Sequence, residues 1–340
     1  MVVTDKTYTP PEITSLMGVI DTYMRWNQYT KRNDRSYAHY HPSEWGKCLR
    51  MQQYKHYAWI GALGEVEWNG HDSKLLRLFD KGHNMHERWS NYLDNIGGIL
   101  LGRWKCKNTF CYMFDKNGKF SPSEDKVKKI YSEKKTRIYG QDSPIKKPEK
   151  CICGCSDFEY LEAHVRAPEL NIKGNADLIF NFDDFDTDRF KGVNKTFNIK
   201  YLPQNGDKVV GDMKSIGSNS WKNQLLSKGA HKEYLIQLTI YVHILDCNYG
   251  LLMYENKDNS EMIWYKVPRN DEWWNVIKNQ AKSMIQMASS EPKKLPPPRY
   301  STKRNYGCIN CDFKKSCHRS KIWDSSNFNK IRKNFYGCLL

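Results

Sequence analysis

The hexapeptide VVGDMK at residues 209–214 is a short apolar stretch that ends in an acidic and a basic residue two positions apart. Such a run is typical of a buried β-strand. Because alternate side chains of a strand share a face, Asp212 and Lys214 are predicted to point the same way at the end of this strand. Residues 176–180 predict a second strand, which carries Asp177. Two carboxylates beside a lysine can bind a hard divalent cation, although the triplet alone is also typical of a solvated ion pair.

Helical patterns on both sides of this stretch supply three more candidate site residues. Apolar residues repeat at steps of three and four over residues 73–96, and His86 falls within that apolar stripe. Residues 232–246 predict another helix, on which Gln237 and Tyr241 share a face because they lie four positions apart. Ordinary core packing is the alternative interpretation for each of these three residues.

The remaining pattern predicts a hairpin and several further elements. The sequence Asn-Gly-Asp at 205–207 predicts a turn that joins strands at 196–201 and 208–213 into a hairpin. The other predicted elements are strands at 158–165, a hairpin of 251–254 with 262–267, and a helix at 271–288.

The charge balance indicates a polyanionic partner. The 340 residues include 54 Lys and Arg against 38 Asp and Glu, a formal net charge of +16, which favours nucleic-acid binding through phosphate contacts. No apolar run approaches the roughly 20 residues of a membrane span, so we expect no membrane partner. Since no apolar stretch typical of a secretory signal follows the N-terminus, we expect a cytoplasmic location, in the host cytoplasm if the chain is viral.

Five of the eleven cysteines fall within residues 100–156, a lysine-rich stretch with few apolar runs. Cytoplasmic cysteines at short spacings are more typical of metal sites than of disulfides. The cysteines form two short-spaced groups, one at 106 and 111 and one at 151–155, separated by a loop. This arrangement predicts a zinc ribbon or knuckle, whose metal would supply the folding energy that this stretch lacks. Thiols in a flexible loop are the alternative. The predicted zinc ligands are Cys106, Cys111, Cys151 and Cys153, with Cys155 as the alternative fourth ligand.

Four motifs in chain order resemble those of the RecB-like branch of the PD-(D/E)xK nuclease superfamily. They are His86, Gly174-x-x-Asp177, Asp212-x-Lys214 and Gln237-x-x-x-Tyr241. The resemblance implies an α/β fold with a restriction-endonuclease-like core, in which a mixed sheet is flanked by helices. It implies that Mg²⁺ or Mn²⁺ is bound by His86, Asp177 and Asp212. It also implies that Lys214 is catalytic, and that Gln237 and Tyr241 support the site or contact DNA.

Two positions in this resemblance have alternatives. Family members often carry an acidic residue ahead of the Gly-x-x-Asp motif, and Glu162 is the candidate here. His83 competes with His86 for the histidine position, but the spacing from Gly82 favours His86.

One cysteine before these motifs and three after them resemble the iron–sulfur subgroup of the same branch, which includes CRISPR-associated RecB-like nucleases and the AddB nuclease domain. The resemblance implies a [4Fe–4S] cluster that ties an N-terminal helix to the C-terminal tail. A zinc site with the same ligands is the alternative, because Cys-x2-Cys is equally typical of zinc. The implied ligands are Cys48, Cys308, Cys311 and Cys317.

The resemblance therefore predicts a Mg²⁺- or Mn²⁺-dependent deoxyribonuclease, and we expect an exonuclease acting in DNA recombination, repair or phage DNA metabolism. A CRISPR spacer-acquisition nuclease and a non-catalytic DNA-binding module of a larger complex are the alternatives. The expected partner is DNA, single-stranded or with a free end, since Tyr300 and Tyr306 lie among basic residues in the tail. Protein partners would belong to recombination or CRISPR complexes.

The same reasoning divides the chain into four regions. They are an N-terminal helical part at 1–99 with the first cluster cysteine, a zinc-binding insert at 100–156, a nuclease core at 157–290, and a cluster-binding tail at 291–340.

Overall fold

The computed structural model describes residues 18–24, 26–27, 37–63, 73–123, 125–126, 136–183, 206–320, 322 and 325–340. The predicted strand at 196–201 lies outside the described residues. The described part is a mixed α/β structure in which a multi-stranded sheet is flanked by helices. No helix within it is long and apolar enough to cross a membrane.

Ten strands are assigned in the described part of the chain. They are β1 (Leu100–Cys106), β2 (Ile138–Tyr139), β3 (Ile145–Lys146), β4 (Phe158–Leu161), β5 (Ala163–Ala167), β6 (Ile172–Ala176), β7 (Leu178–Asn181), β8 (Lys208–Ile216), β9 (Tyr249–Asn256) and β10 (Met262–Pro268). Eight of them form one sheet with the order β10-β9-β8-β7-β1, and β1 also pairs with β2, β3 and β4. Strands β5 and β6 form a separate antiparallel ribbon.

Strand β8 occupies the centre of the sheet, as its apolar sequence predicts. It pairs antiparallel with β7 and parallel with β9, so both edges of residues 209–211 are taken. The predicted hairpin of 208–213 with 196–201 is therefore wrong at these residues, because distant strands supply both neighbours. The predicted hairpin of β9 with β10 is confirmed.

The helices that matter for the site are α1 (Pro42–Trp45), α2 (Leu49–Trp59), α3 (Ser73–Ile96), α4 (Lys232–Ile244), α5 (Asp271–Ser289), α6 (Tyr306–Ile309), α7 (Lys314–His318) and α8 (Phe328–Tyr336). Helices α3, α4 and α5 confirm the predictions made for 73–96, 232–246 and 271–288. The predicted strand at 158–165 is split into β4 and β5, and Asp177 separates β6 from β7.

The alternation of side chains along β8 sends its apolar residues into two cores. Val209 and Met213 pack in a cluster that also contains Met85 of α3. Val210 packs on the opposite side with Leu238 of α4. The sheet is thus covered by α3 on one face and by α4 on the other, and β8 contributes side chains to both cores.

The cysteine-rich stretch is joined directly to this sheet. Its first strand, β1, pairs with β7 through Leu100 and Leu101, so the predicted insert at 100–156 begins inside the central sheet. Farther along β1, residues 103–106 pair with β4. The side chains of Trp104 and Phe158 are buried in the same cluster as Met213.

Candidate active site and metal centres

Asp177 lies at the break between β6 and β7 and is held there by backbone contacts. The Met213 amide donates to its Oδ2 at 2.8 Å, and the Tyr160 hydroxyl donates to its backbone carbonyl at 2.9 Å. The Nδ1 atom of His86, on α3, lies 3.6 Å from the same Oδ2. The structure thus brings together two predicted site residues that are 91 positions apart in the sequence.

Glu162 completes a group of three ligand-bearing side chains. His86, Glu162 and Asp177 each offer one ligand atom, and these atoms all lie within 4.8 Å of one another. The group opens onto a cleft of about 600 Å³ that Arg103 and Lys107 also line. An imidazole nitrogen with two carboxylates suits a divalent cation such as Mn²⁺ or Mg²⁺. The competing histidine, His83, is exposed and does not belong to this group.

Asp212 is buried beside this group, and other side chains engage its carboxylate. The Lys214 Nζ atom lies 2.7 Å from Oδ2, and the Gln237 side-chain amide donates to Oδ1 at 3.0 Å. Asp212 and Lys214 share one side of β8, as their spacing predicts. The predicted strand end is wrong, however, because β9 pairs with β8 as far as Ile216 and extends it beyond Lys214.

Helix α4 supplies the support for Asp212. Gln237 also donates to the Tyr241 hydroxyl at 2.9 Å, so the two residues share a face of α4 and a common hydrogen-bond chain. Gly174 allows the chain to approach closely here, since a Cβ atom at that position would lie 3.0 Å from Pro42 Cδ. The four predicted motifs therefore meet in one region of the fold.

Burial dominates the electrostatics of the two aspartates. It raises the pKa of Asp177, and it raises the pKa of Asp212 to about 6 although the Lys214 ammonium opposes it. Burial alone would lower the pKa of Lys214, but the charges of Asp212 and Asp177 outweigh it and raise that pKa above its ordinary value. Lys214 therefore stays protonated. Glu162 adds further negative charge beside Asp177, which a bound divalent cation would offset.

Glu255 on β9 anchors the helix that carries His86. It is 7% exposed and accepts from the Arg88 guanidinium at 2.5 Å and from the Trp89 indole at 2.7 Å. These bonds fix α3 against the sheet one turn after His86. The sequence did not predict this contact between Glu255, Arg88 and Trp89. An acidic residue in an apolar hairpin does not indicate which side chain it will bind 166 positions away.

The first cysteine group is compact and buried. Cys106 lies at the end of β1 and Cys111 in the following turn, while Cys151 and Cys153 precede β4. Their four sulfur atoms lie within 4.8 Å of one another, with 3.6 Å between those of Cys106 and Cys153 and 3.3 Å between those of Cys111 and Cys151. A tetrahedral zinc–thiolate site places its sulfurs about 3.8 Å apart. The group could therefore hold a metal ion.

Burial raises the pKa of Cys106 and of Cys111, whereas hydrogen-bond donors reach the other two sulfurs, as they would in bound thiolates. The side-chain amide of Asn108 donates to Cys153 Sγ at 3.4 Å, and the Tyr139 hydroxyl donates to Cys151 Sγ at 3.2 Å. Burial raises the pKa of Cys151, but the hydrogen bonds it receives, first from Tyr139, lower it to about 7. Cys155 contacts the backbone of Asp157 instead and lies outside the group of four.

The second cysteine group surrounds a small cavity between α2 and the tail. Cys48 precedes α2, and its sulfur accepts from the Arg299 amide at 3.4 Å. The four sulfur atoms of this group do not all lie within 4.8 Å of one another, unlike those of the first group. The cavity is lined by Cys48, Cys308, Cys311 and Cys317.

Direct contacts join the same two segments. The Arg50 guanidinium donates to the Pro296 carbonyl at 2.9 Å, and the ring of Tyr54 stacks on Phe313 with 5.1 Å between centroids. Leu49 donates its amide to the Tyr336 hydroxyl at 3.2 Å. The helix that follows Cys48 is therefore packed against the tail, as a cluster that bridges the two would require.

Replacing Cys308 with serine is expected to remove the iron and the visible absorption of anaerobically purified protein. The wild-type chain is expected to carry about four iron atoms, because four thiolates hold a [4Fe–4S] cluster. Iron analysis and an absorption spectrum measure both effects. Cys338→Ser is the matched control, since Cys338 does not line the cavity. An iron-free wild-type protein with two zinc ions would contradict the assignment.

The sequence and the structure of the chain were compared with those of known proteins. No family model and no curated protein matches the chain. Among solved structures, the chain is similar to one described as the crystal structure of SSO0001, with 14% sequence identity over 89% of this chain and 97% of that chain. The TM-score of 0.39 does not establish a shared fold.

Proposed function

We propose that this chain is a Mg²⁺- or Mn²⁺-dependent DNA nuclease with a restriction-endonuclease-like core, related to the RecB-like PD-(D/E)xK enzymes. The observation that carries the proposal is the convergence of His86, Glu162 and Asp177 on one cleft, with the Asp212–Lys214 pair beside them. The mixed sheet with helices on both faces is compatible with such a core. The net charge of +16 suits a DNA substrate.

The residues present fit a divalent cation, which His86, Glu162 and Asp177 would hold with Asp212 next to them. When bound, such an ion polarises a phosphoryl oxygen and lowers the pKa of bound water. The carboxylates lie where burial weakens solvent screening, so their attraction for a cation is strong.

Lys214 supplies the fixed positive charge of the site. Its ammonium is protonated and is held by Asp212, so it can donate to a phosphate oxygen without rearranging. Gln237 and Tyr241 orient the Asp212 carboxylate from the opposite side. We assign Lys214 the stabilisation of negative charge that develops on the phosphate, and we assign Gln237 and Tyr241 positioning roles.

The two cysteine groups would hold structural metals in this enzyme. Zinc at Cys106, Cys111, Cys151 and Cys153 would stabilise the insert, and an iron–sulfur cluster at the second group would close the chain around its substrate. We further propose exonuclease action on DNA with a free end, in recombination or repair in the cytoplasm.

Replacing Lys214 with glutamine tests this assignment. Glutamine keeps a donor for the buried Asp212 carboxylate but removes the ammonium charge. The rate of Mn²⁺-dependent cleavage of end-labelled linear DNA is expected to fall about 100- to 1,000-fold, while DNA binding measured without cleavage changes little.

Lys282→Gln serves as the matched control, because Lys282 is exposed on α5 and away from the cleft. Its cleavage rate should equal that of the wild type. Full activity in the Lys214 variant would refute the role of Lys214. A wild-type chain that binds DNA but leaves it intact with Mg²⁺ and with Mn²⁺ would show a binding module instead of a nuclease.

A further inference from the structure

The ribbon of β5 and β6 has one apolar face and one basic face. Ala163, Val165 and Ala167 are buried, and they alternate with His164 and Arg166 on the outer side. On β6 the outward positions are Lys173 and Asn175, which lie opposite Arg166 and His164 in the register. The outer face of the ribbon, defined by these four outward residues, therefore carries no acidic side chain.

The arrangement of charge on this face is costly for the folded protein alone. Arg166 and Lys173 are directly opposed across the two strands, and like charges in that position destabilise a sheet. Neither side chain has an ion-pair partner among the described residues. A bound anion would relieve this repulsion.

The basic face continues into the cleft through Arg103. The guanidinium of Arg103 lies 2.9 Å from the ring Nε2 of His164 and donates to the backbone carbonyl of Glu162 at 2.6 Å. The positive charges of Arg103, Arg166 and Lys173 each act to lower the pKa of His164. These four side chains are therefore close enough to interact and form one cluster. One end of this cluster touches a residue of the candidate metal group, and the other lies on the ribbon.

We propose that the outer face of the β5–β6 ribbon binds the phosphate backbone of the DNA strand whose scissile phosphate enters the cleft. This inference rests on the proposed nuclease function. The ribbon contacts the strand outside the metal group, and Arg103 contacts it at the entrance. Arg166 and Lys173 act in substrate binding and take no part in the chemical step.

The test is the double variant Arg166→Gln/Lys173→Gln in the full chain. The affinity for a fluorescein-labelled single-stranded oligonucleotide is measured by anisotropy in EDTA at several NaCl concentrations. The dissociation constant is expected to rise about tenfold at low salt, and the slope of log K against log[NaCl] should shrink by about 1.4 because two phosphate contacts are lost. The KM for cleavage should rise while kcat stays near the wild-type value.

The melting temperature distinguishes binding from a structural role. Removing two opposed charges should leave it unchanged or raise it, whereas a loss of structure would lower it. The control is Lys282→Gln/Lys330→Gln, which removes two exposed charges on α5 and α8.

Three results would overturn the inference. The first is a wild-type enzyme that cleaves DNA while the double variant matches the control variant in affinity and salt slope. The second is a fall in the kcat of the double variant with no change in KM. The third is that polyglutamate displaces the labelled oligonucleotide from the wild-type chain as well as unlabelled oligonucleotide does. A wild-type chain that neither binds nor cleaves DNA would instead overturn the proposed nuclease function itself.

Discussion

Asp177→Asn is expected to reduce Mn²⁺-dependent DNA cleavage about 1,000-fold and to leave the fold intact. The side-chain amide oxygen of the asparagine can still accept the hydrogen bond that the Met213 backbone amide donates to Asp177 Oδ2. The negative charge beside His86 and Glu162 is lost, and with it a ligand for the divalent cation. Because burial already raises the pKa of Asp177, a neutral side chain is tolerated there and the melting temperature should not fall.

The matched control is Asp246→Asn. Asp246 is largely exposed at the end of α4 and has a positive φ of 49°, which asparagine accommodates well. Cleavage rates and Mn²⁺ affinity by titration calorimetry are measured for both variants. Loss of Mn²⁺ affinity in Asp177→Asn, with none in Asp246→Asn, is the expected pair of results. An Asp177→Asn protein with normal cleavage would remove Asp177 from the site.

Cys153→Ser is expected to release the metal of the first cysteine group and to lower the melting temperature by about 10 °C. A zinc ion bound by four thiolates would contribute its binding free energy to folding, and three of these cysteines lie in the same core cluster as Trp104 and Phe158. Cys106 belongs to this group and also pairs with Phe158 at one end of the β1–β4 ladder. That ladder leads to Glu162, so Mn²⁺ affinity should fall as well.

The neighbouring variant Cys155→Ser decides which sulfur is the fourth ligand. Cys155 lies outside the compact group, so this variant should keep about one zinc ion per chain and the wild-type melting temperature. Metal analysis and thermal unfolding of the two variants, two positions apart, measure the difference. Zinc retained in Cys153→Ser and lost in Cys155→Ser would reverse the assignment.

The local sequence pattern predicted those parts of the fold whose contacts join residues close together in the sequence. The sequence pattern located α3, α4 and α5, and it also located the β9–β10 hairpin. The partners of β8 could not be found this way, because β7 and β9 reach it through long connections. A turn sequence at 205–207 favoured a local hairpin, whereas the backbone edges of β8 are paired with the distant strands β7 and β9.

The candidate site shows the same division. The motif residues from His86 to Tyr241 were identified because their order and spacing resemble those of the RecB-like nucleases, and the structure brings them together. The place of Glu162 in the ligand group depends on the β1–β4 register, which no local pattern specifies. The Glu255 anchor of α3 likewise depends on tertiary packing alone.

The central claim is tested most directly by digestion of end-labelled linear DNA with anaerobically purified chain, in parallel with Asp177→Asn from an identical preparation. The account predicts that the wild-type chain degrades the DNA with Mn²⁺ or Mg²⁺, that EDTA stops the reaction, and that Asp177→Asn leaves the DNA intact. Intact DNA in every wild-type reaction, or equal degradation by the variant, would contradict it.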